Sequence, residues 1–255
     1  MMRFIIKNKV TLNIVIVLFW LLIWQLIYLI IAKDLYIPAP LAVLESLKEL
    51  VQTPIFYKII SVSIIRVIAG LLISFVLGVI LGVLSGINKL VYKFLKPLIT
   101  VIRATPAISF IIIALIWFES TYVPIFISFL MCFPIIWTNV VVGIQSVDKK
   151  YLDLAKVYQT SKIKKIKDIY VPSMKPYFKS SIINTLGLAW KVSVAAEVLS
   201  HPRYAIGSNL HSSKVYLDIP GLFAWTLVVV ILSVIFENIF NFIVKEGDLY
   251  ESKVK

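Results

Sequence analysis

The sequence predicts an all-α polytopic membrane protein with six transmembrane helices, and three observations carry that prediction. Of 255 residues, 60% are hydrophobic and 15% charged, with a mean hydropathy of +0.95, outside the range of soluble globular domains. Six apolar stretches, about 10–32, 60–87, 97–118, 122–146, 178–199 and 221–244, approach or exceed the roughly 20 residues a helix needs to cross hydrocarbon. Lysine and arginine also sort by connection. With the amino terminus placed inside, 18 fall in inside segments and 5 (Lys33, Lys48, Lys58, Arg203, Lys214) in outside ones, which assigns both termini and the lysine-rich segment 147–179 to the cytoplasm. The chain reads as one transmembrane domain over residues 1–255.

Taken in order, the run 10–32 follows Arg3, Lys7 and Lys9. It is too long for a signal-peptide core and no small-x-small cleavage site follows, so it reads as a retained first helix. After Pro38-Ala39-Pro40, Leu41, Leu44, Leu47, Leu50 and Val51 recur every three to four residues between Glu45, Lys48 and Glu49, the pattern of a short amphipathic helix at the outer surface. Span two carries Gly70, Ser74, Gly78, Gly82 and Gly86 at four-residue spacing. Small residues let helix backbones approach in lipid, where no hydrophobic drive joins helices, so this stripe predicts a packing seam.

Ionisable residues inside spans are costly and each needs a partner or a task. Arg66, near the outer end of span two, reads as an anion-entry residue or, by a small margin, as snorkelling to the headgroups. In span three, Arg103, Thr105 and Pro106 form a gate candidate, because proline breaks the backbone ladder and frees carbonyls. Span five carries Trp190, Lys191 and Glu197. Lys191 lies about 9 Å deeper than Glu197 and points about 120° away from it, so the two are expected to face different neighbours, with Lys191 the solute-contact candidate. Glu237 reads as interfacial or lysine-paired. Glu119, His201 and His211 read as solvated, and residues 201–220 as an outer loop facing water.

The insert 147–179 is the one extended polar element. Tyr151–Tyr158 can form two helical turns, and Ile163, Ile166, Ile169 and Tyr170 line one side of a second short helix whose other side is Lys162, Lys164, Lys165 and Lys167. Pro172 and Pro176 are expected to break that helix before span five. An interfacial helix meeting anionic lipid through its lysines is an equally good reading of the periodicity alone.

Other chemistries are disfavoured. Cys132 is a lone cysteine, so no internal disulfide forms, and with two histidines it cannot complete a four-ligand zinc site. The net charge of +13 would suggest nucleic acid in a soluble protein, but its placement in cytoplasmic connections fits a membrane chain. No G-x-x-x-x-G-K-[ST] loop is present, and no His, Asp, Glu or Cys converge at catalytic spacing. An ion-coupled secondary transporter would need mid-span carboxylates and often internal repeats, neither of which is found.

The spacing Asp153, Ala155, Gln159, Pro172 resembles the Glu-Ala-Ala loop of ABC-importer permeases. Flanking segments agree in order: IPAPLAVLESL, IIRVIAGLLISFVLGVILGVLSG, LITVIRATPAISFIIIALIWF, FPIIWTNVVVGIQSVD and AAEVLS. Together, over about residues 36–245, they resemble the nitrate, sulfonate and taurine type of binding-protein-dependent permease, the transmembrane subunit of a type I importer. Three positions depart from that pattern: Asp153 for Glu, Leu154 for the first Ala, and Gln159 for Gly. A left-handed backbone costs a non-glycine residue about 1 kcal/mol or more, so the turn is either built differently or slightly strained.

The resemblance implies a non-enzymatic subunit, acting as a homodimer in a bacterial inner membrane. It implies that Asp153, Leu154, Ala155, Gln159, Ser161, Ile163, Ile166 and Pro172 form the element that docks into an ATPase. The implied partners are two ABC ATPase subunits carrying ATP and Mg, an extracytoplasmic solute-binding protein and membrane lipid, with no cofactor on this chain and no nucleic acid. The implied solute is small: the basic in-span residues favour an anion such as nitrate, a sulfonate or taurine, while similar permeases also serve vitamin precursors.

Overall fold

The computed structural model describes residues 9–254, and its side-chain description excludes Lys9, Val10, Asn13, Lys162 and residues 240–254. Arg3, Lys7 and Lys255 of the charge tally fall outside the described residues, and Lys245 and Lys253 are described in backbone only. Among the described residues every regular element is helical: α1 Lys9–Ile31, α2 Pro40–Gln52, α3 Pro54–Ile87, α4 Lys89–Ala104, α5 Ala107–Trp117, α6 Val123–Gln145, α7 Lys149–Val157, α8 Lys162–Lys165, a π-helical turn Ile166–Tyr170, α9 Val171–Ser200, α10 Ile206–Val215 and α11 Ile219–Val254. Five helices are long and apolar enough to cross a membrane, and the pair α4 and α5 makes a sixth crossing if counted together.

The chain divides into two compact units. The first comprises residues up to Ile59 with Asn209–Val230. Within it α2 forms where the sequence places it, after Pro40 at its first turn, and Val43 is its buried residue. Leu41, Leu44 and Val51 stay exposed, as suits a helix whose apolar side lies at a membrane surface instead of in a protein core. Trp24 donates its indole N–H to the Pro38 carbonyl at 3.2 Å and its ring lies 5.9 Å from that of Phe223. Phe56 and Trp225 meet at 5.5 Å.

The second unit comprises Ile60–Ser208 with Ile231 onward. Its hub is α6, half of whose apolar window is buried. Along one side of α6 runs the small-residue stripe of α3. A Cβ at Gly70 would lie 2.5 Å from the Ser128 Cβ, at Gly78 2.7 Å from Ile136 Cγ2, at Gly82 2.7 Å from Val140 Cβ, and at Gly86 2.7 Å from Ile144 Cδ1. The two backbones thus approach as closely as only glycine allows. Hydroxyls reinforce the seam: Ser74 donates to the Gly70 and Phe129 carbonyls, and the Trp137 indole donates to Ser85 Oγ at 3.0 Å. On its other sides α6 receives α4, where Tyr92 stacks on Trp137 at 5.6 Å. It also meets α5 and α9 in a core of Ile111, Ala114, Val123, Ile127 and Ala196.

Two expectations need correction. The third crossing is not one helix: α4 and α5 are bent by 104° at Thr105-Pro106. Proline biases the residue before it out of the helical region, and Thr105 is extended at ψ 132°. The 11-residue α5 covers only about 16 Å, half the hydrocarbon, so neither piece crosses alone.

Nor do Pro172 and Pro176 break the chain ahead of span five. A continuous helix of 38 residues runs Ile163–Ser200. The π turn adds a residue, with the Val171 amide bonding the Ile166 carbonyl, and widens the helix where the Pro172 ring would otherwise meet the carbonyl four residues back. The Ser173 hydroxyl then takes up the Ile169 carbonyl at 2.8 Å.

Gly82→Val should lower stability by about 1–3 kcal/mol through overpacking against Val140. Gly187→Ala should leave it unchanged or raise it by up to about 1 kcal/mol through helix propensity, because a Cβ there meets nothing within 4 Å. Thermal unfolding of the detergent-purified protein reads both, and equal midpoints for the two variants would contradict the seam.

Candidate functional site

Four places hold the residues singled out in the sequence. The first is the insert. Asp148 caps α7 by accepting from the Lys150 amide at 2.9 Å. The helix ends in paired reverse bonds, Thr160 N–H to the Ala155 carbonyl at 2.9 Å and Gln159 N–H to the Lys156 carbonyl at 3.0 Å. This is the Schellman arrangement, which requires a left-handed residue between them. Gln159 supplies it at φ 49°, in the conformation a glycine would adopt at no cost. Ser161 then opens the next helix: its hydroxyl accepts from the Lys164 amide and its carbonyl from the Lys165 amide.

The turn thus folds α7 back against α8, leaving a cleft of about 510 Å³ whose walls include Leu154, Ala155, Tyr158, Thr160, Lys164 and Asp168. Ala155 is buried, while Leu154, Val157, Tyr158, Ile163 and Ile166 are exposed. Asp153 pairs with Lys156 at 2.8 Å on the exposed side. The Lys156 hydrogen bond and charge hold the Asp153 carboxyl below its usual range, and the same contact raises Lys156. Pro172 is exposed in the first turn of α9. The insert is thus a polar element that displays five large apolar side chains, Leu154, Val157, Tyr158, Ile163 and Ile166, around a capped turn.

The second place corrects two expectations. Arg66 does not snorkel, and neither Arg66 nor Glu197 is open to a path; they are 3% and 0% exposed and pair at 3.0 Å. The Glu197 carboxylate also accepts from the Ser63 hydroxyl at 2.8 and 2.9 Å and from the Gly207 amide at 3.1 Å. Arg66 also donates from Nη1 to the Tyr204 carbonyl, at 3.1 Å, and from Nη2 to the Arg203 carbonyl, at 2.9 Å, while its buried Nε has no hydrogen-bond partner. Ser63 Oγ in turn accepts from the Ile206 amide at 3.1 Å. The segment after α9 is correspondingly not a solvated loop, for Pro202, Ala205, Ile206 and Gly207 are buried. Ser63 and the Gly207 amide were not singled out by sequence. The signal for the pair was available: opposite charges on two apolar helices have few satisfactory neighbours other than each other.

Lys191 marks the third place, on the face of α9 that carries Ser180, Asn184, Gly187 and Lys191 within about 60° of arc. Lys191 is exposed on this face, whereas the neighbouring Trp190 is buried against Phe236 at 5.1 Å. A cavity of about 410 Å³ is lined by Asn184, Gly187, Trp190, Lys191, Ser233 and Glu237. Lys191 and Glu237 share its wall without forming an ion pair. A polar face at mid-helix is costly against lipid, so it faces water or protein. Lys191 and Glu197 do face different neighbours, as the helical geometry requires.

The fourth place is the bend. Arg103 is exposed and its Nη1 lies 3.5 Å from Thr138 Oγ1, too long for more than a loose contact. Thr105 turns its hydroxyl back to the Val101 carbonyl at 2.8 Å, and Pro106 is exposed. Glu119 and His201 are exposed, whereas His211 is half-buried. Among the described residues no group of His, Cys, Asp and Glu is placed to hold a metal ion.

The chain is similar in sequence to known proteins. The sequence profile of the family described as "Binding-protein-dependent transport system inner membrane component" matches residues 74–246. The chain is 31% identical to the nitrate import permease protein NrtB of Synechococcus elongatus over 191 residues, covering 71% of this chain and 68% of that one. It is 27% identical to the bicarbonate transport system permease protein CmpB of the same organism over 202 residues, 75% of this chain and 72% of that one. A putative aliphatic sulfonates transport permease protein, SsuC of Bacillus subtilis, is 27% identical over 179 residues, 69% and 65% of the two chains.

Gln159→Gly should keep the turn and raise stability by up to about 1 kcal/mol, whereas Gln159→Val, β-branched at a positive φ, should lower it by about 1 kcal/mol or more. Limited proteolysis of the insert with thermal unfolding reads both. Earlier cleavage of the glycine variant would argue against a left-handed residue at this point.

Proposed function

Because this chain belongs to the family of binding-protein-dependent transport system inner membrane components, we propose that it is the membrane-spanning half of an ATP-driven importer of a small anion. In this reading two copies pair in a bacterial inner membrane with both termini in the cytoplasm. Two separate ATPase subunits bind ATP and Mg, and a binding protein delivers solute to the outer face. The observation that carries the reading is the insert: α7 and α8 present exposed Leu154, Val157, Tyr158, Ile163 and Ile166 around a capped, rigid turn.

The physical steps follow from that element. The apolar residues of the insert seat in the ATPase, and closure of two ATPase subunits carries the paired inserts together. The helix Ile163–Ser200, continuous through its π turn and two prolines, transmits the displacement. Solute crosses beside the α9 face that carries Lys191, whose ammonium is the positive charge available to an anion in the 410 Å³ cavity. The exposed Arg103 at the bend of α4 and α5 supplies a second positive charge toward the same kind of solute. The relatives named for nitrate, bicarbonate and aliphatic sulfonates support an anionic solute.

Two measurements test this reading. Cys132 is buried, so a cysteine introduced at Ser161 is the reactive thiol of the described chain. It should cross-link to a cysteine introduced in the docking groove of the ATPase, with a yield that changes when ATP is added. Absence of any cross-link in the assembled complex would contradict docking through the insert. Separately, Lys191→Met should cut uptake of the transported anion at least tenfold, about 1.4 kcal/mol or more, while ATP hydrolysis continues. Competition among nitrate, bicarbonate and an alkanesulfonate identifies the anion, and full uptake by Lys191→Met would remove Lys191 from the path.

A further inference from the structure

Glu197 lies one turn from the carboxyl end of α9, and the next eight residues fold over it. His201 and Tyr204 both take left-handed conformations, φ 48° and 53°, which cost a non-glycine residue about 1 kcal/mol or more each. The segment holds them because its backbone is stapled from two helices. Arg66 of α3 takes the carbonyls of Arg203 and Tyr204, Ser63 of α3 takes the Ile206 amide, and Glu197 of α9 takes the Gly207 amide. No side chain fits at Gly207, where a Cβ would lie 2.5 Å from that of Glu197. Ser208 closes the turn on itself by donating to the Pro202 carbonyl at 2.8 Å.

This knot sits on the helix that starts at the insert. From Ile163 to Glu197 the helix is unbroken and, at 1.5 Å per residue, about 51 Å long. A buried charged network at one end of a stiff rod moves with the rod, because separating Glu197 from Arg66 would leave an unpaired buried charge on each helix.

We propose that Ser63, Arg66 and Glu197 are positioning residues that make the turn 201–208 move with the insert, so that an event at this turn and an event at the ATPase become one motion. The proposal rests on the reading of the insert as the ATPase-docking element, and it assigns the turn, through its exposed His201 and Arg203 at the opposite end of the same helix, as the place where a seated binding protein is sensed. The residues touch neither solute nor nucleotide. Arg66 and Glu197 act by fixing the backbone of the turn to α3 and α9 together, and Ser63 bridges the two by donating to Glu197 and accepting from Ile206.

The test uses the full transporter, permease with ATPase subunits in proteoliposomes. Its binding protein is loaded with whichever of nitrate, bicarbonate or an alkanesulfonate raises that protein's melting midpoint. Wild type is compared with Ser63→Ala, Glu197→Gln and the double variant Arg66→Met with Glu197→Met, which replaces the pair by apolar side chains. Expected are basal ATP hydrolysis within about twofold of wild type in all three, a loss of at least tenfold in stimulation by the loaded binding protein in the double variant, and a severalfold loss in Ser63→Ala. An assembled double variant stimulated to within twofold of wild type overturns the relay. If that variant does not assemble, undiminished stimulation of Ser63→Ala and Glu197→Gln overturns it equally. A wild-type complex that hydrolyses no ATP would instead count against the importer reading, which separates the two failures.

Discussion

Two prolines stand at the eleventh and fifteenth residues of the helix that begins at Lys162, and each withholds an amide from the ladder. A helix entering a membrane from a polar insert has every reason to break there. It does not, because a single π turn adds a residue ahead of Pro172 and the Ser173 hydroxyl engages the Ile169 carbonyl. The consequence reaches far beyond the turn. The insert and the fifth crossing become one mechanical body, and the capped reversal at Gln159 locks α7 onto its end.

What surrounds that body is held by rules particular to lipid. Burying an apolar side chain against another helix gains little where the solvent is already hydrocarbon, so contact has to come from close approach and from polar groups without water to turn to. Gly70, Gly78, Gly82 and Gly86 provide the approach, bringing α3 against α6. Polar tethers join α6 to α9 as well, Ser128 donating to the Ala189 carbonyl at 3.3 Å and the Cys132 thiol to that of Thr185 at 3.4 Å. The buried pair of Arg66 and Glu197 ties α3 to α9, and removing either member alone would strand the other.

Most of the architecture is legible in the chain itself, for physical reasons. Hydropathy locates the crossings because a bilayer admits little else, and the four-residue period of α3 announces a seam because only small residues allow backbones to touch. At the turn of the insert the resemblance left two builds open for Gln159, a different turn or a strained one, and the residue takes the left-handed conformation at φ 49°. Three features were not legible. Thr105-Pro106 and Pro172 carry the same local signal against a helix, yet one bends the chain by 104° and the other is absorbed. What separates them is the added residue of the π turn, which no propensity encodes. Arg66 read alone can snorkel as easily as pair. Only the fold shows that Glu197, 131 positions later, arrives within 3.0 Å. The segment after α9 looked solvated because its residues are polar, but its backbone is what the knot consumes.

Transmission from the insert to the knot requires the helix between them to behave as a single rigid piece while the transporter works. The most direct measurement is the distance between spin labels at Lys167→Cys and Ala195→Cys, both on exposed residues outside the docking set, in the assembled transporter without nucleotide and with ATP bound. A rigid helix predicts one narrow distribution near 42 Å, the rise of 28 residues at about 1.5 Å each, shifting by less than about 2 Å between the states. A second, shorter population appearing with ATP would show that the helix hinges at its prolines, and the rigid transmission described here would be wrong.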